Sequence, residues 1–259
     1  MFVIENTENI GIIDAGLGGL AVFNLLAERY PARKFTYLCD IANMPYNIHN
    51  EEWIAERANK LIHYLGSSCE TIIIACNTVS VVRNKLITGT HELIDIITPV
   101  KDYMQNLNLS DFLLILGTKT VIGSGVYQLV GTASLGIPCI YLASAIEKYG
   151  SNHKKIKELC AGYLIPHLPY IKYDKITCML ACTHYGYIEH IIRDIILNNS
   201  GVKEIRFIHT AKILADSVNI VQSNYKKGKN LLFLNSKFPV KRLGEFTDIN
   251  RVELRMINI

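Results

Sequence analysis

Two apolar runs, each closing on Ala-Cys, constrain the fold of this chain more than any other feature. Residues 71–80 read Thr-Ile-Ile-Ile-Ala-Cys-Asn-Thr-Val-Ser, and residues 176–184 read Ile-Thr-Cys-Met-Leu-Ala-Cys-Thr-His. Short apolar runs rich in β-branched residues are typical of parallel strands that are buried on both faces. Each run therefore predicts a buried strand that leads to a cysteine, and we interpret the two runs as halves of one site.

Strand and helix patterns alternate along the whole chain, and the order of the first half is repeated in the second. The predicted strands are residues 9–14, 34–40, 71–74, 112–116, 137–142, 175–181, 204–208 and 230–235. The predicted helices are residues 20–29, 52–65, 79–86, 151–164, 188–196 and 211–224. This alternation predicts an α/β fold with doubly wound parallel sheets, whose ligands bind outside the carboxyl ends of the strands. Asp14, Asp40 and Cys76 fall at such ends.

A glycine-rich turn follows the first predicted strand. Residues 14–19 read Asp-Ala-Gly-Leu-Gly-Gly and precede the first predicted helix. Glycines allow a ligand to approach the backbone, and the N-terminus of a helix favours an anion such as a carboxylate. The turn lacks the Gly-x-Gly-x-x-Gly spacing, and no acidic residue stands at the distance that would bind a ribose. Both observations argue against a dinucleotide site.

The composition is that of an ordinary globular protein. Of the 259 residues, 49% are apolar and 19% are charged, so the chain is long and apolar enough to bury a core and to fold alone. The net charge of +4 is modest for this length. Lysines group at Lys226, Lys227 and Lys229, which we interpret as a solvated loop. No nucleic-acid partner is expected from this distribution.

Targeting and cysteine patterns favour a cytoplasmic protein with reduced thiols. No apolar run reaches the ~18 residues of a membrane span, and the N-terminal residues are acidic where a signal peptide would be basic. Seven cysteines without a Cys-x-x-Cys pair argue against a disulfide framework and against the common zinc motifs. Because Cys-Thr-His offers only two metal donors, no metal site is expected at His184.

Five motif-like segments occur along the chain, at residues 14–19, 39–47, 75–78, 118–127 and 181–185. In this order, and across nearly the whole chain, they resemble the motifs of the cofactor-independent aspartate/glutamate racemase family. Ala-Cys-Asn-Thr at 75–78 is intact, and Ala-Cys-Thr-His-Tyr at 181–185 differs only at the family's glycine. The chain departs from the motifs at other positions: Ala15 replaces serine, Ile41 and Val121 replace threonines, and Asn47 replaces glycine.

The resemblance implies two pseudo-symmetric α/β domains with the active site in the cleft between them. Residues 1–97 and 210–259 would form the first domain, and residues 98–209 the second. The resemblance also implies a racemase that needs no cofactor, interconverts L- and D-glutamate and supplies D-glutamate for peptidoglycan. The expected partner is therefore a small amino acid. Family members often form homodimers, although no segment of this sequence specifies an interface.

Racemisation explains why one site would need two cysteines. A base removes the Cα proton from one face while an acid returns a proton to the other, and Cys76 and Cys182 would supply one group from each half. A thiol with an ordinary pKa near ~8.5 is only a few per cent thiolate at neutral pH, so each thiol needs an activating neighbour. Asp14 is the candidate for Cys76, and His184 for Cys182. By resemblance, Cys76 serves the D-enantiomer and Cys182 the L-enantiomer.

Further candidate residues would bind the substrate and stabilise its carbanion in a site that excludes water. They are Ala15, Tyr46, Asn47, Asn77, Thr78 and Thr183, together with Asp14 and His184. Glu147 is a further candidate, by resemblance to a glutamate in the family's second domain.

Other interpretations stay open from the sequence. A free cysteine is most often a small core residue, and we keep this interpretation for Cys39, Cys69, Cys139, Cys160 and Cys178. The losses at Ala15 and Val121 and the added side chain of Asn47 leave room for aspartate or another amino acid as substrate. They also leave room for a degenerate scaffold with a binding or regulatory role. A Cys-His hydrolase is the weakest alternative, because its mechanism does not need the second Ala-Cys run.

Overall fold

The computed structural model describes residues 1–5, 9–107, 112–221 and 229–259. Its strands are β1 (Phe2–Ile4), β2 (Asn9–Asp14), β3 (Lys34–Cys39), β4 (Thr71–Ile74), β5 (Glu92–Asp95), β6 (Phe112–Gly117), β7 (Ser134–Pro138), β8 (Lys175–Ala181), β9 (Glu204–His209), β10 (Val218–Ile220), β11 (Asn230–Leu234) and β12 (Val252–Met256). Its α-helices are α1 (Leu20–Arg29), α2 (Glu51–Gly66), α3 (Asn77–Val81), α4 (Ile97–Gln105), α5 (Lys119–Ser124), α6 (Leu142–Tyr149), α7 (Lys154–Leu164), α8 (Glu189–Asn199), α9 (Thr210–Ser217) and α10 (Val240–Leu243). Short 3-10 turns occupy Ile41–Asn43, Tyr46–Ile48, Arg83–Lys85, Leu168–Tyr170, Thr183–Ile188 and Ile249–Arg251. Lys226 and Lys227 lie outside the described residues.

The strands form parallel sheets. Six strands make the first sheet, in the order β12-β11-β3-β2-β4-β5, and four make the second, in the order β7-β6-β8-β9. Strands β1 and β10 pair with each other. Every strand pair in the described residues is parallel. Strands β2, β4 and β6 are buried along their whole length, as parallel strands covered on both faces should be. The predicted α/β fold with doubly wound parallel sheets is confirmed.

The two larger sheets repeat one arrangement. Numbered along the chain, β3-β2-β4-β5 and β7-β6-β8-β9 both have the strand order 2-1-3-4. Cys76 follows β4 and Cys182 follows β8, the third strand of each set. Chain connections leave the first and third strands toward opposite edges of the sheet, which opens a crevice at their carboxyl ends. The predicted pseudo-symmetry therefore places each cysteine at the equivalent crevice of its own sheet.

The last part of the chain returns to the first sheet. Strand β11 pairs with β3, with Leu234 opposite Cys39, and β12 extends the sheet beyond it. The strand predicted at 230–235 is therefore confirmed, next to the strand that leads to Asp40. One apolar cluster joins Phe23 of α1 and Leu214 of α9 to Leu180 of β8, so the sheets share core packing. None of the helices in the described part of the chain has the length and apolar character of a membrane span.

Two predicted elements differ in kind from the observed ones. The strand predicted at 137–142 lies earlier, at Ser134–Pro138, and Leu142 begins α6. Proline has no N–H for a strand ladder, and the strand ends at Pro138. The helix predicted at 211–224 ends at Ser217, because Val218–Ile220 pairs with Phe2–Ile4. Residues 222–224 of that predicted helix lie outside the described part of the chain.

Several boundaries also shift. The helix predicted at 79–86 divides into α3 and the turn Arg83–Lys85, and the helix predicted at 151–164 begins at Lys154. Strand β5 was not predicted. It ends at Asp95, whose carboxylate accepts hydrogen bonds at 2.9 Å from the N–H groups of residues 97 and 98 and so starts α4.

Candidate active site

Both motif cysteines line one small cavity at the carboxyl ends of the two sheets. The cavity has a volume of about 30 Å³. Cys76 and Cys182 are 6% and 7% exposed, so both thiols are buried. Every residue that the sequence predicted to act on or bind a substrate, apart from Glu147, lines this cavity: Asp14, Ala15, Tyr46, Asn47, Cys76, Asn77, Thr78, Cys182, Thr183 and His184. Met44, Pro45, Thr118 and Ala143 complete its wall.

Cys76 lies against the carboxylate of Asp14. Burial raises the pKa of the Cys76 thiol well above its usual range, and the negative charge of Asp14 raises it further. Burial also raises the pKa of Asp14, against the opposing positive charge of His184. A buried carboxylate with a raised pKa is a stronger base than an exposed one. Asp14 is therefore suited to take the proton of Cys76.

Asp14 is held by both halves of the molecule. Its Oδ1 accepts a hydrogen bond from the Ala15 N–H at 2.7 Å, within the first half. Its Oδ2 accepts one from the Thr183 hydroxyl at 3.0 Å, and Thr183 follows the cysteine of the second half. Thr183, which follows Cys182, thus orients the Asp14 carboxylate that lies beside Cys76.

Cys182 lies at the start of a chain of polar contacts. Its Sγ is 3.7 Å from Nδ1 of His184, and Nε2 of His184 is 2.7 Å from Oε1 of Glu147. Burial lowers the pKa of His184, but the hydrogen bonds to Cys182 and Glu147 outweigh burial and raise this pKa well above its usual value. A protonated imidazole places a positive charge and an N–H donor beside the Cys182 sulfur. Glu147 therefore supports the Cys182 side of the site through His184.

Backbone N–H groups of the glycine-rich turn contact side chains of the protein itself. The Leu17 N–H donates to Oε1 of Glu147 at 2.5 Å, and the Gly18 N–H lies 3.1 Å from Nε2 of His184. The sequence predicted that this turn favours a carboxylate, and the carboxylate found there belongs to Glu147. A Cβ atom at position 16 would overlap Oε1 of Glu147 and the sulfur of Met44. A side chain at position 16 would therefore displace the Glu147 carboxylate and the Met44 side chain from their present positions.

Gly16→Ala is expected to destabilise the fold by about 1–3 kcal/mol, because the added methyl overpacks the contact between the turn and Glu147. Thermal unfolding measures this change. Gly162→Ala is a matched control, since no atom lies within 4 Å of a Cβ at this position in α7. The control should be neutral or more stable by up to about 1 kcal/mol. Equal stability of Gly16→Ala and the unmodified protein would contradict this account of the turn.

A buried ion pair orders the loop that carries Tyr46. Asp40 accepts two hydrogen bonds from Arg57 at 2.9 Å and one from the Tyr46 hydroxyl. Asn235, which follows β11, donates to the same carboxylate. Burial, followed by the charge of Asp40, raises the pKa of Tyr46, so its hydroxyl keeps its proton. Arg57 and Asn235 were not identified from the sequence, because neither belongs to a motif.

Side chains of Tyr127, Thr210 and Thr118 satisfy Asn77 and Thr78. The Tyr127 hydroxyl donates to Oδ1 of Asn77 at 2.7 Å, and Nδ2 of Asn77 donates to Thr210 at 3.2 Å. The hydroxyls of Thr78 and Thr118 are 2.9 Å apart. Asn77 thus joins the two halves as well as lining the cavity. Thr118 and Tyr127 lie in the motif-like segment at 118–127, so their involvement had a sequence signal, whereas that of Thr210 had none.

A larger cavity lies on the other side of Cys182. It has a volume of about 410 Å³ and is lined by residues of α1 and α9 together with Cys182 and Thr183. It does not include Cys76 or Asp14. A reaction that needs both thiols therefore fits the smaller cavity. Among the residues that the structure describes, no three His, Cys, Asp or Glu side chains group as a metal site.

The chain is similar to bacterial proteins of one family. No protein-family model matches it. The glutamate racemase of Ralstonia nicotianae is 30% identical over 198 residues, which cover 72% of this chain and 69% of that protein. The chain belongs to the glutamate racemase family.

Solved glutamate racemase structures share the fold. Isoform RacE1 from Bacillus anthracis superposes with a TM-score of 0.78 at 18% identity, covering 97% of this chain and 98% of that one. The glutamate racemase from Francisella tularensis in complex with D-glutamate superposes with a TM-score of 0.76 at 21% identity, covering 97% of each chain. At these identities the likeness concerns the fold.

The departures from the glutamate racemase motifs occupy different places. Ala15 lines the cavity, so the hydroxyl that serine would provide is missing there. Asn47 is 4% exposed and donates through Nδ2 to the Ile140 carbonyl at 3.0 Å. Its Oδ1 has no hydrogen-bond partner among the described residues. Val121 is 2% exposed and packs in the core away from the cavity. Of these three departures, only Ala15 and Asn47 therefore alter the wall of the cavity.

Proposed function

We propose that this protein interconverts L- and D-glutamate by proton transfer at Cα between two thiols. The observation that carries the proposal is the pairing of two buried thiols in one cavity, one from each pseudo-symmetric half. Each thiol has its own acid–base neighbour, Asp14 for Cys76 and His184 for Cys182. Membership of the glutamate racemase family supports the same reaction, and the related Francisella structure contains D-glutamate.

The proton path has two symmetric directions. With D-glutamate, Asp14 takes the Cys76 proton, the Cys76 thiolate removes the Cα proton, and the Cys182 thiol protonates the opposite face. The Cys182 thiolate that results is stabilised by protonated His184. With L-glutamate the two thiols exchange roles. This direction leaves a proton on Asp14 and a thiolate at Cys182, which is the form that accepts L-glutamate. Transfer of that proton back to Cys182 restores the form that accepts D-glutamate, so the reaction needs no co-substrate.

The carbanion would be stabilised by hydrogen-bond donors in a dry site. The hydroxyls of Thr78, Thr118 and Thr183 lie in the cavity wall, and α3 begins directly after Cys76. The N-terminal N–H groups of a helix favour a carboxylate. These groups are suited to hold the substrate carboxylate on which negative charge grows as the Cα proton leaves.

Substrate binding requires a more open form. The present cavity of about 30 Å³ holds about one water molecule. An amino acid needs several times this space. We propose that residues 1–97 and 210–259 form one domain and residues 98–209 the other, and that they separate to admit glutamate. The protein would act in the cytoplasm and supply D-glutamate for peptidoglycan. A homodimer remains a prediction from the family resemblance.

The function can be tested by exchange of the Cα proton in deuterated water, with each enantiomer of glutamate and aspartate offered separately. We expect deuterium uptake and inversion with both glutamate enantiomers, followed by NMR and by circular dichroism. Turnover of aspartate without turnover of glutamate would identify aspartate as the substrate. Absence of exchange with all four compounds would indicate the degenerate scaffold. Release of ammonia from amides that needs Cys182 but not Cys76 would indicate a hydrolase.

A further inference from the structure

Residues 240–247, here called the bridging segment, connect the two halves behind the Cys182 side of the site. The segment comprises α10 and the four residues that follow it, after β11 of the first sheet. Asn24 of α1 fixes one end: its Nδ2 donates to the Phe246 carbonyl at 2.7 Å, and its Oδ1 accepts from the Thr247 hydroxyl at 2.7 Å. Leu243, Phe246 and Thr247 are buried. The segment is therefore packed into the molecule.

Arg242 fixes the segment to helix α6, which carries Glu147. Its guanidinium donates to the carbonyl of Ile146 at 2.9 Å, to that of Lys148 at 3.0 Å and to that of Glu147. These carbonyls belong to the last turn of α6, where the Ile146 carbonyl also accepts from the Gly150 N–H at 2.9 Å. A guanidinium at the C-terminus of a helix also interacts favourably with the helix dipole. Arg242 therefore caps the helix at the residue that contacts His184.

Phe246, also in the bridging segment, contacts His184. Its ring meets the His184 ring edge-on at 6.4 Å and the Tyr187 ring at 4.9 Å. Phe246 is 3% exposed, so it shields one side of the imidazole from water. The backbone of Glu147 and the ring of His184 are thus both in contact with one short segment.

We propose that the bridging segment positions the Glu147–His184 pair behind Cys182, with Arg242 as its main positioning residue. The inference rests on the proposed function only in treating the Cys182 thiolate as a base that removes the Cα proton. Without the cap from Arg242, the last turn of α6 loosens and Glu147 loses its fixed position against His184. His184 then loses the hydrogen bond that favours its protonated form, and Cys182 holds its own proton more strongly. Cys76 depends on Asp14 and should be unaffected.

The titratable groups around His184 in the described structure are Cys182, Glu147 and Asp14, together with Tyr187, which interacts with the charges of Asp14 and Glu147 and packs on the same Phe246 ring. Glu147 comes from α6, Asp14 from β2 and Cys182 from the residue that follows β8. Arg242 reaches this set through the backbone of Glu147 alone. A change at Arg242 should therefore act on Cys182 through His184 and leave Asp14 in place.

The test measures iodoacetamide labelling of each cysteine against pH in the full-length protein, by mass spectrometry of the separated peptides. In Arg242→Ala, we expect the pH midpoint for Cys182 to rise by about half a unit or more, which is about threefold less thiolate at neutral pH. The midpoint for Cys76 should stay unchanged. Arg242→Lys should lie closer to the unmodified protein, because lysine can still donate to a carbonyl.

Arg251→Ala is a matched control, because Arg251 is 70% exposed and pairs with an acidic residue three positions away, Asp248, just as Arg242 pairs with Glu245. Its labelling should match that of the unmodified protein. If Arg242→Ala fails to fold, Arg242→Gln and Asn24→Ala give the same test. Equal shifts at Cys76 and Cys182, or no shift at Cys182, would overturn the inference. Labelling needs no turnover, so absence of racemisation would sink the proposed function and leave this result standing.

Discussion

Replacing Cys76 or Cys182 by serine is expected to lower glutamate racemisation about a thousandfold or more, in the upper part of the range for loss of one general acid or base. A serine hydroxyl is a much weaker acid than a thiol, so it supplies almost no anion to remove the Cα proton. Since the two enantiomers have equal free energy in water, kcat/KM must fall equally in both directions. Circular dichroism of each enantiomer measures the loss.

Residual proton exchange should separate the two cysteines. The Cys182→Ser protein keeps the thiol that serves D-glutamate, so any remaining exchange should be confined to this enantiomer, and Cys76→Ser should show the reverse. Cys69→Ser is the control, because Cys69 is buried outside the cavity and its Sγ already lies 3.8 Å from the Ser68 hydroxyl. If Cys76→Ser or Cys182→Ser retained a tenth of the racemase activity, the two-thiol mechanism would be refuted.

Asp14→Asn is expected to reduce turnover about a hundredfold, as loss of a general base commonly does. The amide can still accept a hydrogen bond from Ala15 or Thr183, but it cannot take the Cys76 proton. Burial raises the pKa of Asp14, so turnover of the unmodified protein should decline on the acid side at a pH above the ordinary range of an aspartate. The pH profile of kcat should lose this acid limb in the variant.

Asp95→Asn is the matched control for Asp14→Asn. Asp95 is also a buried carboxylate at the end of a strand of the first sheet, but it caps α4 and lies outside the cavity. Its replacement should lower the melting temperature and leave the pH profile unchanged. A profile of Asp14→Asn that keeps the acid limb would show that another group takes the Cys76 proton.

The sequence predicted the parts of the site that depend on local order. An apolar strand followed by a polar motif fixes where a side chain leaves the sheet, which is why Asp14, Cys76 and Cys182 were placed at strand ends. Because parallel strands bring their carboxyl ends to one edge, Asp14 and Cys76 are expected to lie close together. The meeting of Cys76 with Cys182, which follows a strand of the other sheet, is predicted by the paired Ala-Cys runs and the family resemblance.

The missed parts depend on contacts between distant segments. Arg57 reaches Asp40 from the buried face of α2, and nothing in the local pattern identifies Asp40 as its partner. Thr210 contacts Asn77 across 133 residues. Strand β10 exists because Phe2–Ile4 lies beside it, more than 200 residues earlier in the chain. Helix periodicity cannot report such a partner, so the helix at 211–224 was predicted too long.

The burial of both thiols also has a chemical consequence for a cell that meets peroxides. Peroxides oxidise thiolates through sulfenic acid toward states that the cell does not repair, and exposed thiolates react fastest. Cys76 is 6% exposed, and burial raises the pKa of its thiol well above the usual range. The burial of the small cavity therefore also limits the access of peroxides to the Cys76 sulfur.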